Sequence, residues 1–148
     1  VAIRLHGSKP GSKPLLSGTG VLVAGENITI VADLTATGNP DLTAFWNPNP
    51  ELASGRAELI VRNVAEDAGL NVYAGGLRIF RDLTNPNGGN IRLPSEWVNV
   101  RMTPFGSDTT VIGPVAVHLR DQTVTIVYAI GSAATDTLTS VQQTYSAS

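Results

Sequence analysis

Cysteine is absent from the chain, so neither disulfides nor thiolate metal sites contribute to it. At 148 residues it is long enough to bury a core without such staples. Lysine is almost missing: Lys9 and Lys13 are the only two. Charged residues make up 15% and the net charge is −2, so there is no basic footprint for nucleic acid. Long apolar runs are lacking too. The longest, at 28–34 and 124–130, are strand-sized and far below the ~20 residues of a membrane-spanning helix. There is no initiator Met and no leader sequence at Val1, which leads us to expect that a preceding segment has been removed.

Catalytic signatures are equally scarce. The two histidines, His6 and His118, have no carboxylate at the spacing of a metal pair. No Gly-x-Ser-x-Gly elbow occurs, and no Walker loop. The expectation is a non-enzyme that needs no cofactor and no metal.

What is present is a period of two. Val1-Ala-Ile3-Arg-Leu5, Val21-Leu-Val23, Ile28-Thr-Ile30-Val31, Leu59-Ile-Val61, Leu70-Asn-Val72-Tyr73, Val98-Asn-Val100-Arg-Met102, Val115-Ala-Val117-His-Leu119 and Val124-Thr-Ile126-Val-Tyr128 all read as short strands. Each is β-branched and bounded by turn residues. No window sustains a helical period; Glu66-Asp-Ala-Gly offers at most one short helical turn. Turn signals every eight to twelve residues point to an all-β protein, an antiparallel, immunoglobulin-like β-sandwich.

The pattern repeats. Residues 15–45 align with 111–141 without a gap at an offset of 96, placing Asn27-Ile-Thr-Ile-Val31 on Thr123-Val-Thr-Ile-Val127 and Phe45 on Val141. Upstream, with one residue of shift, Val1-Ala-Ile-Arg-Leu5 falls on Val98-Asn-Val-Arg-Met102. The copies are unequal, because the second has further strands between Arg56 and Leu93 and the first does not. Residues 1–46 therefore read as the C-terminal half of one sandwich repeat and 56–148 as a complete second repeat. Between them, 47–55 carries two Asn-Pro steps and reads as a semi-extended linker.

Leu59-Ile-Val-Arg-Asn-Val-Ala-Glu-Asp-Ala-Gly-Leu-Asn-Val-Tyr73, then Gly75-Gly76 and Phe80-Arg-Asp-Leu83, resembles the opening of the domain of unknown function 4397 family. Val98–Met102, the turn at Gly106-Ser-Asp and Thr125-Ile-Val-Tyr-Ala-Ile-Gly131 fit the later strands. The resemblance covers about 56–143 in full and 1–45 as a half copy. It departs at Asn63 and Val64, where the family often has histidine or serine. It implies a bacterial, exported protein of the cell envelope or exterior, and assigns no activity.

A half sandwich leaves an apolar face and a strand edge uncovered. Preceding strands, one larger sandwich shared with the full copy, or a neighbouring chain would each solve this. The sequence thus leads us to expect a structural or assembly protein that self-associates through sandwich edges or meets another envelope protein. The alternative is a module binding a surface glycan or small ligand. Trp46, Trp97 and Tyr145 are the aromatic contacts for it, since aromatic faces stack on sugar rings. Lys9 and Lys13 lie in the tandem Gly-Ser-Lys-Pro repeat at 7–14, read as a protruding loop able to touch a partner. Glu66-Asp67 has too few oxygens for a calcium loop and reads as a turn.

Overall fold

The computed structural model describes all residues except Leu5, Asp67 and Ala68. The expected helical turn and carboxylate pair at 66–69 include two of these and lie outside the described residues. No helix occurs among the described residues, and so none long and apolar enough to cross a membrane.

Among the described residues twelve strands follow in chain order. They are β1 (Ala2–Ile3), β2 (Leu16–Ser17), β3 (Ile28–Leu34), β4 (Pro40–Trp46), β5 (Arg56–Asn63) and β6 (Leu70–Ala74), then β7 (Leu77–Leu83), β8 (Gly88–Pro94), β9 (Trp97–Pro104), β10 (Ile112–His118), β11 (Thr123–Ile130) and β12 (Thr139–Ser146). They form two four-stranded sheets, β10-β9-β6-β7 and β12-β11-β5-β8, and two hairpins, β1–β2 and β3–β4. Leu70, Val72, Val100 and Met102 from the first sheet meet Leu59, Val61, Val127 and Ala129 from the second in one core. Alternation explains it: each strand sends every second side chain inward.

Several expectations need correction. Val21-Leu-Val23 is not a strand but an exposed irregular segment, because no neighbouring backbone is there to pair with it. Pairing is not wholly antiparallel, since β5 and β11 run parallel from Glu58–Val124 to Asn63–Ala129. They are far apart in sequence, so the connecting chain is long enough for a parallel crossover. The gapless equivalence of Phe45 with Val141 also fails. Ile28 pairs with Trp46, whereas Val124 pairs with Tyr145, three residues beyond the aligned position. The β11–β12 loop is longer than the β3–β4 loop by that amount, and this moves the whole second strand.

The β3–β4 hairpin forms a third layer. Val31 and Phe45 pack on the outer face of the second sheet, against Ile60, Val64, Val124, Ile126 and Tyr128. Two polar clamps fix it there. Asn85 Nδ2 donates to Leu34 O and Ala65 O, both at 2.7 Å, and Arg62 holds the opposite end. Segment 47–55 contains no strand, buries Asn47 and Leu52 and accepts a hydrogen bond from Gln122 Nε2 at Leu52 O.

Candidate functional site

Arg62 is the strongest polar feature of the buried interior. Alternation along β5 turns it outward from the main core, beneath the β3–β4 hairpin, where it is 4% exposed. Its Nη1 donates to Asn47 Oδ1 at 2.8 Å and to Tyr128 Oη at 3.0 Å, and its Nη2 to Trp46 O at 3.0 Å. The guanidinium also lies 4.4 Å from the centre of the Phe45 ring. Dipoles and a π face replace a counter-ion here. The role is to pin the hairpin, and nothing about it presents a reacting group to solvent.

Among the described residues Glu58 is the other buried charge, on the same face of β5. It accepts from Asn90 Nδ2 at 3.0 Å and meets Arg92 Nε at 3.5 Å. Among the described residues no group of three His, Cys, Asp or Glu is placed to hold a metal ion.

The structure divides the aromatic and lysine candidates among three places. Trp46 and Tyr145 border one cleft with Glu26, Asn47 and Asn49. Tyr145 is already committed within it, because its hydroxyl donates to Pro48 O at 2.6 Å. Burial pushes its pKa up to about 12, against the opposing pull of Arg62, while Glu58 and Tyr128 add to the rise. Lys9 and Lys13 are exposed on the β1–β2 loop. Trp97 stands far from these, on the outer face of the other sheet.

Two exposed surfaces remain. The first belongs to residues 1–46. With Val31 and Phe45 facing the sheet, alternation leaves Ile28, Ile30, Leu42, Ala44 and Trp46 on the opposite side of the hairpin. They line an apolar groove of about 500 Å³ with Val1, Val21 and Leu22. Val21 is 85% exposed and Val23 58%, although the aligned Val117 and Leu119 are both at 0%. Among the described residues β3 has a neighbour on one side only, and its seven residues ITIVADL contain no proline, lysine or bulge along that edge, Asp33 being the one charge there.

The second surface is the outer face of the β10-β9-β6-β7 sheet. His118 pairs with Trp97 across the strands, and their rings stack 4.5 Å apart at 6°. Further along, Tyr73 pairs with Arg101 on one side and Arg78 on the other, with the Arg101 guanidinium 3.9 Å from the tyrosine ring centre. Sequence reasoning named Trp97 but missed its companions. The signal was the alternation itself, which puts Trp97, Asn99 and Arg101 on one face; only the strand pairing adds His118 and Tyr73.

No known family model, curated protein or solved structure matches the chain.

Proposed function

We propose that this chain is a non-catalytic structural or assembly protein of the bacterial cell envelope or exterior, related to the domain of unknown function 4397 family. On this reading β5–β12 are a complete immunoglobulin-like sandwich and β1–β4 a partial copy that self-association completes. The observation that supports it best is the contrast at aligned positions. Val21 and Val23 stand in solvent where Val117 and Leu119 are fully buried. The second copy buries them under the facing β12-β11-β5-β8 sheet, and among the described residues no counterparts of β5 and β8 occur between Val1 and Trp46.

An apolar side chain of this size contributes about 1.5–3 kcal/mol when fully buried. A surface joining Val21, Leu22, Val23, Ile30 and Trp46 therefore favours a partner over water. It carries no charge to be desolvated, which suits a second copy of the same chain. The open edge of β3 adds a row of backbone groups for strand addition. Low charge and the absence of cysteine agree with an exported protein.

The test is multi-angle light scattering across a dilution series, on the natural chain and on Val21→Glu/Val23→Glu. We expect an oligomer that dissociates on dilution, and a double variant that is monomeric with unchanged circular dichroism. A natural chain that stays monodisperse, monomeric and folded at every concentration defeats the reading.

A further inference from the structure

Beyond self-association, we infer that the open face of the β10-β9-β6-β7 sheet binds an acidic oligosaccharide, with Trp97 receiving a sugar ring and Arg101 and Arg78 its carboxylate or sulfate groups. The starting point is an asymmetry. The outer face of the β12-β11-β5-β8 sheet is covered by the β3–β4 hairpin, and the outer face of the other sheet is not. Trp97 is 68% exposed there, one ring face against His118 and the other toward water.

Its four strands carry three arginines, Arg78, Arg81 and Arg101, and one acid, Asp82. The β12-β11-β5-β8 sheet has the same formal balance, Arg56, Arg62 and Arg92 against Glu58, but there Arg62 is buried and Arg92 meets Glu58. None of Arg78, Arg81 and Arg101 has an ion-pair partner among the described residues. The Asp82 carboxylate lies beside Gly69, which precedes the start of β6. The face thus has the sign that attracts an anion.

Spacing selects the kind of anion. Trp97 and Arg101 lie four residues apart on β9, roughly 13 Å by strand geometry. Tyr73 and Arg78 follow on the next two strands, at about 4.8 Å per strand. A single phosphate or carboxylate ion would touch only the arginine end and leave the indole unused. An oligosaccharide satisfies both ends: the apolar face of a pyranose stacks on Trp97, the guanidinium planes pair bidentately with acid groups, and Asn99 lies between them within reach of ring hydroxyls. The Trp97–His118 and Tyr73–Arg101 stacks hold the rings in place before binding, which lowers the ordering cost. A single-stranded nucleic acid also combines stacking with charge. It would extend past this short diagonal onto a chain that is acidic overall, so the glycan is favoured.

The experiment uses the full chain with Trp46→Phe, so that Trp97 is the remaining indole. Trigalacturonate and a heparin-derived tetrasaccharide separate carboxylate from sulfate recognition; maltotriose and oligothymidylate are the neutral and nucleic-acid comparisons. We expect saturable fluorescence quenching by at least one of the two acidic sugars, weakened by added salt, and none by maltotriose. Calorimetry should show that Trp97→Ala and Arg101→Gln each weaken binding roughly tenfold, with circular dichroism unchanged. Val21→Glu/Val23→Glu should bind as the parent does, which keeps this outcome separate from that of assembly. Absence of saturable binding to both acidic sugars overturns the inference. So do equal binding of maltotriose, tighter binding of oligothymidylate, or affinities indifferent to both substitutions.

Discussion

The guanidinium of Arg62 stands 4.4 Å from the centre of the Phe45 ring and makes three hydrogen bonds, to Asn47, Tyr128 and the Trp46 carbonyl. This one side chain therefore joins β5 and β11 to the hairpin and to the start of the 47–55 segment. Arg62→Ala should cost about 2–4 kcal/mol, because it deletes charged hydrogen bonds and strands their buried partners. Urea denaturation measures the loss. Hydrogen exchange should show the β3 and β4 amides opening first, with the main core protected. Lysine should not rescue the site, since a single ammonium cannot reproduce the planar fork.

Aligned positions should respond in opposite ways. Leu119→Ala removes a fully buried side chain and should destabilise by ~2–5 kcal/mol. Val23→Ala, at the equivalent exposed place, should change monomer stability by no more than about 0.5 kcal/mol. Thermal denaturation of dilute protein compares the two directly.

Tyr145 makes alkaline stability a readout of its burial. Its ordinary pKa of 10.0 rises to about 12 in the folded chain, so the unfolded state loses its proton first. The contribution is intact below pH 10 and is lost as pH climbs through about 12. In urea titrations across that window, Tyr145→Phe should flatten the decline. Below pH 10 it should lose about 0.5–1.5 kcal/mol for the bond to Pro48.

Asp33 behaves as an acid whose folded pKa is raised. Burial is the main cause and Asp41 adds to it, against the hydrogen bond from Thr43. Its Oδ1 is buried without a partner. The stability its neutral form confers is present below the ordinary carboxyl value of 3.8 and fades as pH rises through the raised folded value. Asp33→Asn should therefore raise the melting temperature at pH 7 and leave it nearly unchanged at pH 3.

Gly131 opens the long β11–β12 loop at φ 94°, where an added Cβ would collide with the Thr137 backbone. Gly131→Ala should destabilise by roughly 1–3 kcal/mol. Calorimetry checks it, with Gly11→Ala as a milder comparison in open space.

Legibility in the sequence followed the strength of alternation. β6, β9 and β11 alternate apolar residues with polar ones, β5 carries the short apolar run Leu59-Ile-Val61, and all four were readable at sight. β8 and β12 were not, because Gly88-Gly-Asn-Ile-Arg-Leu-Pro and Thr139-Ser-Val-Gln-Gln-Thr-Tyr-Ser have few apolar residues. They are strands because β5 and β11 offer them an edge. Val21-Leu-Val23 is the converse, with a strand's pattern but no partner. The outward orientation of His118 between Val117 and Leu119 was legible from the same alternation; its stacking on Trp97 was not, since that depends on which strand lies alongside and in what register.

The sequence alone determined that the chain is all-β and where most strands begin, because a period of two is written locally in side-chain order. It also determined which residues on a strand share a face. Only the tertiary structure decided that β5 and β11 pair in parallel, that the hairpin turns Val31 and Phe45 inward and so leaves Ile30 and Trp46 outside, and that Arg62 is buried without a carboxylate. Those outcomes are set by contacts between residues distant in the chain, where sheet edges and apolar faces compete for one another, and no local pattern records which of them wins.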